Sequence, residues 1–272
     1  MKIIALDLDG TLLNTRKQLT NRNLRALEAA ADAGHVIVPA TGRALKAIPD
    51  EILSLPFIWY VISINGACVT DQKTGERIYS AEIPKETALS LLSFASQFDC
   101  MYDCYWQDTG WTNRTFLENI RYYNSDEEVI RLIRKSRRPV EDLDAFIALN
   151  AQSVQKVQLC FRDLADRAAA VEQLKSDFPE IVATSSFRNN LELNWKTADK
   201  GRGLQVLSQY LNVPFKDTIA FGDSSNDLTM LQAAGEGVAM GNAADELKAL
   251  CDAVTLSNDD DGVAAYLERY VL

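Results

Sequence analysis

Short apolar runs alternate with helix-like segments at the beginning of the chain. The strand-like stretch "IIALDLD" is followed by "TNRNLRALEAAADAG", in which Leu24 and Leu27 recur at helical spacing, and then by the apolar run "HVIVPATG". Thr20 or Asn21 is a suitable N-cap for this helix, and Gly34 is a suitable residue at its C-terminal end. The pattern predicts a βαβ unit, to which the run "WYVISINGA" adds a third strand.

The last third of the chain shows the same alternation. Helix-like segments "DKGRGLQVLSQYLN", "SNDLTMLQAA", "ADELKALC" and "DDGVAAYLERYV" alternate with strand-like runs "DTIAFGD", "GVAMG" and "AVTLS". Because the strand-like runs are apolar on both faces and helices join them, they favour a parallel sheet covered on both sides. The predicted fold class is α/β, with a Rossmann-like parallel sheet and helices on both faces.

The middle of the chain has a different pattern. It begins with the helix-like "KETALSLLSFASQF" and continues with strand-like pieces rich in Tyr, Trp and Cys, such as "MYDCYWQDTGWTN". We therefore expect an inserted α+β domain at residues 85–190. It separates the two halves, 1–84 and 191–272, of one α/β core.

Charge and hydropathy limit the partners of this 272-residue chain. A formal net charge of −10 argues against nucleic acid or an anionic membrane as a partner, since both need a basic face. The apolar runs are too short to span a bilayer or to form a signal peptide, so we expect a cytoplasmic protein. The sequence leaves open whether it is a monomer or a small homo-oligomer.

The cysteine content argues against two further classes of site. Five scattered cysteines do not suggest a disulfide framework. Cys100 and Cys104 have metal-ligand spacing, but a second cysteine pair is missing and His35 is the one histidine, so a tetrahedral zinc site is not expected. We interpret His35 as a strand-end residue.

Unusual polar residues follow the predicted core strands. In open parallel sheets, ligands bind beyond the carboxyl ends of the strands. Strand one ends in Asp7 and Asp9, followed by Gly10 and Thr11, and strand two ends in "TGR". The strand "TIAFGD" leads into a helix start that carries Asp223, Asn226 and Asp227, and Lys200 begins another helix. These residues are candidates for one site at one edge of the sheet.

Each segment has a simpler interpretation. "TGR" could be a turn, and Lys200 alone could be a solvated charge. Acidic residues near Asp259 in "SNDDDG" are favoured at a helix N-terminus without any ligand. "GDSSND" is more informative, because it holds more capping side chains than one helix start needs. The combination of the segments, more than any one of them, indicates a functional site.

The segments "DLDGTLL", "TGR", the later Lys200 and "GDSSND" stand in the order of the four motifs of the haloacid dehalogenase superfamily. The chain resembles the Cof-type phosphatases of that superfamily, which carry a large cap between motifs two and three. "ISINGA", "LELNWKTADKG" and "AVTLSNDDDGVAAYLE" are also similar to this subgroup, so the resemblance covers nearly the whole chain. It implies hydrolysis of a phosphomonoester, with the 85–190 domain as a cap that selects the substrate.

The four aspartates of these motifs need a cation. Two unit charges 4 Å apart interact by about 4 kcal/mol at an effective dielectric near 20. A hard divalent ion fits such oxygen ligands, and Mg²⁺ accepts a few carboxylates together with water and phosphate. The resemblance implies that Asp7, Asp223 and the backbone carbonyl of Asp9 are direct ligands. It implies that Asp227 binds the ion directly or through water.

The resemblance also implies the catalytic roles. Asp7 is the expected nucleophile, which forms an aspartyl-phosphate, and Asp9 is the expected general acid and base. Lys200 is expected to stabilise charge. The phosphate-binding residues are expected to be Leu8, Thr41, Gly42, Lys200 and Asn226.

Other functions and cap residues stay open at the level of sequence. The same site could serve a phosphotransferase or phosphomutase, or a phosphate-ester binding module without turnover. The substrate is expected to be a small phosphorylated metabolite, such as a sugar phosphate. Cap residues that could touch it are Tyr105, Trp106, Asn113, Arg114, Tyr122 and Tyr123. Arg137 and Arg138 could bind a second anionic group, although an adjacent basic pair before a proline is usually at the surface.

Overall fold

The computed structural model describes residues 1–185 and 188–272 of the chain. Its strands, in chain order, are β1 (Ile3–Leu6), β2 (Val36–Pro39), β3 (Tyr60–Ser63), β4 (Cys68–Asp71), β5 (Arg77–Ser80), β6 (Ile83–Pro84), β7 (Cys100–Trp106), β8 (Thr109–Asn113), β9 (Arg137–Val140), β10 (Ser153–Val154), β11 (Lys156–Phe161), β12 (Ile181–Thr184), β13 (Asn190–Trp195), β14 (Thr218–Gly222), β15 (Glu236–Ala239) and β16 (Ala253–Val254).

The helices are α1 (Asn21–Asp32), α2 (Asp50–Leu53), α3 (Lys85–Ala95), α4 (Arg114–Glu118), α5 (Ile120–Tyr123), α6 (Glu127–Ser136), α7 (Leu143–Asn150), α8 (Leu164–Asp177), α9 (Lys200–Tyr210), α10 (Leu228–Ala233), α11 (Asp245–Lys248) and α12 (Gly262–Tyr270). Short 3-10 turns lie at Leu45–Ala47, Ile64–Gly66, Phe215–Asp217, Ser225–Asp227 and Asn258–Asp260. Within the described residues, no helix combines the length and the apolar character that a membrane crossing requires.

The chain divides into two compact units, each made of separate segments. The first unit comprises Met1–Arg43, Ile48–Ser80 and Ala198–Leu272, and the second comprises Ala44–Ala47 and Ala81–Thr197. The second unit continues beyond the boundary predicted at residue 190, because β13 pairs with β11 of that unit along its length.

The first unit is built on a parallel five-stranded sheet in the order β16-β15-β14-β1-β2. Ile3 and Ala5 of β1 pack with side chains of α9 and α10 on one face. On the other face, the ring of Phe221 in β14 lies 5.4 Å from that of Tyr266 in α12. The predicted Rossmann-like α/β fold is confirmed, with the apolar strands buried between helices.

Local sequence signals of the first unit act as expected. The Thr20 hydroxyl accepts a hydrogen bond from the Asn23 N–H and caps α1, and Gly34 has a φ of +86° just beyond the end of this helix. Asp199 caps α9 by accepting from the Arg202 N–H at 2.8 Å. These caps fix where α9 begins, and hence where Lys200 lies.

The second unit contains a six-stranded sheet in the order β12-β13-β11-β7-β8-β9, antiparallel except between β8 and β9. One face packs an apolar core against α3, α7 and α8, and this core includes Cys100 and Cys104. Part of the other face is covered by α4, α5 and α6. The additional sheet and helices give the α+β character expected of the insertion.

Candidate active site

Three neighbouring strands bring the first motif to one edge of the parallel sheet. Leu6, the last residue of β1, pairs with Pro39 of β2 on one side and with Phe221 of β14 on the other. Asp7 follows directly, and its N–H donates to the Phe221 carbonyl at 3.0 Å. Since all three strands run in the same direction, the residues after β2 and β14 lie at the edge where Asp7 lies.

Lys200 lies between two of the motif carboxylates. Its Nζ is 2.6 Å from Asp7 Oδ1 and 2.6 Å from Asp227 Oδ1. The side chains of Lys200 and Asp227 are fully buried, and that of Asp7 is nearly so. The predicted motif-three lysine therefore joins the carboxylates of motifs one and four.

The turn after β14 fixes the other acidic residues. Asp227 Oδ2 accepts the N–H groups of Asp223 at 2.9 Å and Ser224 at 3.0 Å. Asp223 in turn accepts from the Thr11 hydroxyl at 3.2 Å. Gly10 has a φ of +90°, and a Cβ placed on it would lie 2.5 Å from Asp223 Oδ2, so glycine is required at this position.

The acidic cluster formed by Asp7, Asp223 and Asp227 can offer one carboxylate oxygen from each residue within 4.8 Å of one another. Burial raises the pKa of Asp7 well above its usual value; the charge of Lys200 opposes this rise, and repulsion from the neighbouring carboxylates adds to it. Burial and the charge of Asp227 raise the pKa of Asp223 to about 6. One lysine does not neutralise the cluster, and a hard cation fits this all-oxygen donor set.

Asp9 has a different environment. Its carboxylate accepts hydrogen bonds from Arg43 Nε at 2.6 Å and Arg43 Nη2 at 2.7 Å, and Lys17 Nζ lies 2.9 Å away. Burial opposes ionisation, but the hydrogen bonds and charges of Arg43 and Lys17 outweigh it and lower the pKa of Asp9 to about 2. In this state Asp9 is a carboxylate with no proton to donate.

The predicted phosphate-binding residues lie around the same edge. Thr41 is buried at the end of β2, where its Oγ1 accepts the Arg43 N–H at 3.2 Å, so its own hydroxyl proton can serve another acceptor. Leu8 and Gly42 lie next to Asp7 and Thr41 in the chain. The Asn226 amide donates to Asn65 Oδ1 at 3.1 Å.

Comparison with known proteins gives a consistent result. The family model of haloacid dehalogenase-like hydrolases matches residues 4–267. The chain is 35% identical to phosphatase YwpJ of Bacillus subtilis, and the match covers 99% of both chains. It is also 31% identical, over 99% of this chain and 98% of the other, to 5-amino-6-(5-phospho-D-ribitylamino)uracil phosphatase YwtE of the same organism. A solved haloacid dehalogenase-like hydrolase from B. subtilis superposes with a TM-score of 0.86 at 31% identity, over 100% of both chains.

The chain belongs to the haloacid dehalogenase-like hydrolases. Its relatives of the Cof subclass are phosphatases, and the chain is a hydrolase of that type. The resemblance inferred from the four motifs is thereby confirmed.

Sequence reasoning overlooked several residues at the edge of this haloacid dehalogenase-like site. Lys17 forms an ion pair with Asp9, and Asn65 forms a hydrogen bond with Asn226. The sequence pattern predicts no role for Lys17 or Asn65. The acidic run after β16 contacts the segment that follows the first motif. Asp259 accepts hydrogen bonds from the Thr15 N–H and hydroxyl, both at 2.9 Å. The "NG" dipeptide favours the left-handed φ of Asn65, +54°, but it gives no sign of the contact with Asn226, which is distant in the chain.

Most of the candidate cap residues have structural partners inside the second unit. Trp106 packs against Trp111 and Phe146, the Asn113 side chain accepts the Leu143 N–H, and the Tyr122 hydroxyl donates to Asp99. Arg114 pairs with Glu141, and the ring of Tyr123 packs against that of Phe116.

The expectation that Arg137 and Arg138 form a surface pair is wrong for Arg137. Arg138 is exposed, but Arg137 is 9% exposed and its Nε donates to Asp103 Oδ2 at 2.8 Å. The two residues point to opposite faces of β9, because side chains alternate along a strand. Tyr105 lies beside Arg137, with the guanidinium carbon 4.8 Å from the ring centroid.

Proposed function

We propose that this protein is a Mg²⁺-dependent phosphatase that hydrolyses a small phosphorylated metabolite, such as a sugar phosphate, through an aspartyl-phosphate on Asp7. The observation that carries the proposal is the contact of Lys200 with both Asp7 and Asp227. It joins three motifs from distant parts of the chain around one buried carboxylate. The relative YwtE, which is named for a phosphorylated ribitylaminouracil, supports a small organic phosphate as substrate.

The proposed ligands of the metal are Asp7, Asp223, Asp227 and the backbone carbonyl of Asp9. Bound there, Mg²⁺ supplies positive charge that offsets the repulsion between the carboxylates and the substrate phosphate. The same charge would offset the cost of ionising Asp7 in its buried site, so that Asp7 stays ionised as a nucleophile must.

In the first proposed step, the Asp7 carboxylate attacks phosphorus, and the bond between phosphorus and the leaving oxygen breaks. Lys200 holds Asp7 Oδ1 and so fixes the rotation of the carboxylate. Asp9 gives its proton to the leaving oxygen, which departs as an alcohol. Since Arg43 and Lys17 keep Asp9 ionised, this role requires Asp9 to be released from both residues and to take up a proton from solvent before the leaving oxygen departs.

In the second step, a water molecule attacks the phosphorus of the aspartyl-phosphate and gives a proton to Asp9. The bond between phosphorus and Asp7 breaks, which releases inorganic phosphate and restores both aspartates. Thr41, Lys200, Asn226 and the amides near Leu8 and Gly42 are proposed to hold the phosphoryl oxygens. Each acts by hydrogen bonding or charge.

The second unit is proposed to act as the cap that selects the substrate. Within it, Asp103, Tyr105 and Arg137 share one sheet face that is polar and buried. Among the described residues, Asp103 Oδ1 is buried without a hydrogen-bond partner. Asp103→Asn keeps the shape of this side chain but removes the charge that pairs with Arg137, so a role of this face in substrate selection predicts a changed ranking of substrates beside a loss of stability. Tyr122→Phe, which alters an exposed residue of the same unit, should leave the ranking unchanged.

The test of the function is release of inorganic phosphate from a panel of phosphorylated metabolites, with Mg²⁺ and with a chelator. We expect Asp7→Asn to fold normally and to lose at least about a thousandfold in kcat, because it removes the nucleophile. Substantial activity of Asp7→Asn would exclude the aspartyl-phosphate. Release that requires a second phosphate acceptor would indicate a phosphotransferase, and binding of esters without release would indicate a binding module.

A further inference from the structure

Three successive residues after β3 have a left-handed backbone. The φ angles of Ile64, Asn65 and Gly66 are +52°, +54° and +87°. This conformation is unusual for residues other than glycine, and most unusual for a β-branched residue such as Ile64. Strain of this kind persists only where the surroundings determine it.

The backbone of this loop is tied to two of the motifs. The Ile64 N–H donates to the Arg43 carbonyl at 2.9 Å, and the Asn65 N–H donates to the Thr41 carbonyl at 3.0 Å. Gly66 lies against the start of α9, where a Cβ on Gly66 would be 2.0 Å from the Asp199 carbonyl oxygen. The loop therefore contacts both the "TGR" segment and the residue before Lys200.

The side chain of Asn65 reaches a third motif. It is 3% exposed, and its Oδ1 accepts from Asn226 Nδ2 at 3.1 Å. The Asn226 Oδ1 accepts from the Ser224 hydroxyl at 2.7 Å. A carboxamide has two N–H donors, so these contacts fix the plane of the Asn226 amide and leave one N–H for another acceptor.

We propose that Asn65 is a positioning residue of the phosphate site, which holds the Asn226 amide so that its second N–H donates to a phosphoryl oxygen. The inference rests on the proposed function of Asn226 and adds to it a residue outside the four motifs. Asn65 acts through Asn226 and makes no contact with the substrate itself. The strained loop brings this side chain to Asn226 while it contacts Thr41 and Asp199.

A purely structural role makes a different prediction. If asparagine is present only because it tolerates a left-handed backbone, glycine serves equally well at position 65. Asn65→Gly therefore removes the amide and keeps the backbone conformation accessible. Asn212→Gly is the matched control, because Asn212 has a φ of +53° and is exposed. Asn212 lies roughly 18 Å from Lys200, measured along α9.

The experiment measures kcat and KM for the best phosphate ester, and the Kd of inorganic phosphate by calorimetry, both with Mg²⁺. We expect Asn65→Gly to raise KM and the Kd of phosphate by about tenfold with a small change in kcat, as loss of a charge-assisted hydrogen bond predicts. Asn226→Ala should have a similar effect. The double variant should be no worse than Asn226→Ala, because the two residues act through one hydrogen bond.

The outcomes separate this inference from the proposed function. If the wild type hydrolyses esters and Asn65→Gly behaves like Asn212→Gly, the positioning role is overturned and the function stands. Additive effects in the double variant also overturn the positioning role. If no ester is hydrolysed but phosphate binds, and binds about tenfold more weakly to Asn65→Gly, the function fails and the positioning role stands. A wild type that does neither overturns both.

Discussion

Lys200 is a buried cation that lies between two carboxylates. Burial disfavours its charged form, but the charges of Asp227 and Asp7 and their hydrogen bonds raise its pKa above the usual value. A buried lysine is stable only with such partners, so the ion pairs and the burial depend on each other. From sequence, Lys200 is one of many charged residues at a helix start, and only the order of the motifs identifies it.

Gly10 lies directly against Asp223, one of the proposed metal ligands. In Gly10→Ala, the new Cβ would collide with Asp223, and the backbone would keep an unfavourable φ. We expect kcat/KM to fall by about a hundredfold, because a shift of one ligand by about an ångström misplaces the phosphate. Steady-state kinetics with Mg²⁺ measure the effect.

Gly34→Ala is the control for Gly10→Ala. Gly34 has a similar φ of +86°, but a Cβ there would meet nothing within 4 Å. The Gly34→Ala variant should therefore lose about 1 kcal/mol of stability and keep its activity. Equal activities of the two variants would show that the collision with Asp223 is unimportant.

The buried cysteines have thiols of low reactivity. Burial, the leading cause in both cases, raises the pKa of Cys160 to about 11 and that of Cys100 to about 12. Because a raised pKa keeps the thiol protonated, the reactive thiolate is scarce at about pH 8. A chromogenic disulfide reagent should therefore titrate these thiols in the native protein far more slowly than in urea. Fast reaction in the native protein would contradict their burial.

At the scale of elements, the six-stranded sheet of the second unit has an apolar face and an unusually polar face opposite it. Lys156 Nζ in β11 lies 3.3 Å from Glu192 Oε2 in β13, and Arg137 of β9 forms an ion pair with Asp103 of β7. All four side chains are buried. Removing one member of such a pair leaves a buried charge uncompensated, which is far worse than losing a surface pair.

Arg137→Met tests the strength of this polar face. We expect a loss of about 3–5 kcal/mol in the free energy of unfolding, because Asp103 would stay buried without its partner. Replacing both residues in Arg137→Met/Asp103→Leu should recover much of the loss. Urea unfolding, followed by tryptophan fluorescence, measures the difference.

Arg114 offers the comparison within the same unit. It pairs with Glu141 at 2.6 Å, but both side chains are largely exposed, at 49% and 80%. Arg114→Met should therefore change stability by at most about 1 kcal/mol. If it destabilised the protein as much as Arg137→Met, burial would not be the reason for the difference.

The elements themselves were the most predictable part of the molecule. The apolar run "IIAL" and the cap at Thr20 identified β1 and α1 from local pattern alone. Asp7, Asp223, Asp227 and Lys200 were grouped because parallel strands share an edge and the motifs have a known order. The partners of Arg137 and Asn65 were not foreseen, because those contacts join residues that are distant in the chain and follow no local period.

At the scale of the whole molecule, the proposed metal site predicts that stability depends on a cation. A ligand that binds only the folded state stabilises it by about 2.7 kcal/mol at a hundred times its Kd. We expect Mg²⁺ to raise the Tm of the wild type and to have little effect on Asp223→Asn. Differential scanning calorimetry with Mg²⁺ or with chelator measures this shift.

Asp142→Asn serves as the control, because Asp142 caps α7 in the second unit and lies outside the acidic cluster. It should lower the stability slightly and keep the full response to Mg²⁺. A wild type whose Tm is indifferent to Mg²⁺ would argue against the proposed metal site.

The position of β1 between β2 and β14 also orders events on the ribosome. About 200 residues separate Leu6 from its partner Phe221, so at about 5–20 residues per second β1 waits on the order of ten to forty seconds for β14 to be synthesised. The second unit has all its strands once Thr197 has been made. The second unit is therefore able to fold during translation before the unit that begins the chain, and Asp7 acquires Lys200 and Asp227 as neighbours late in synthesis.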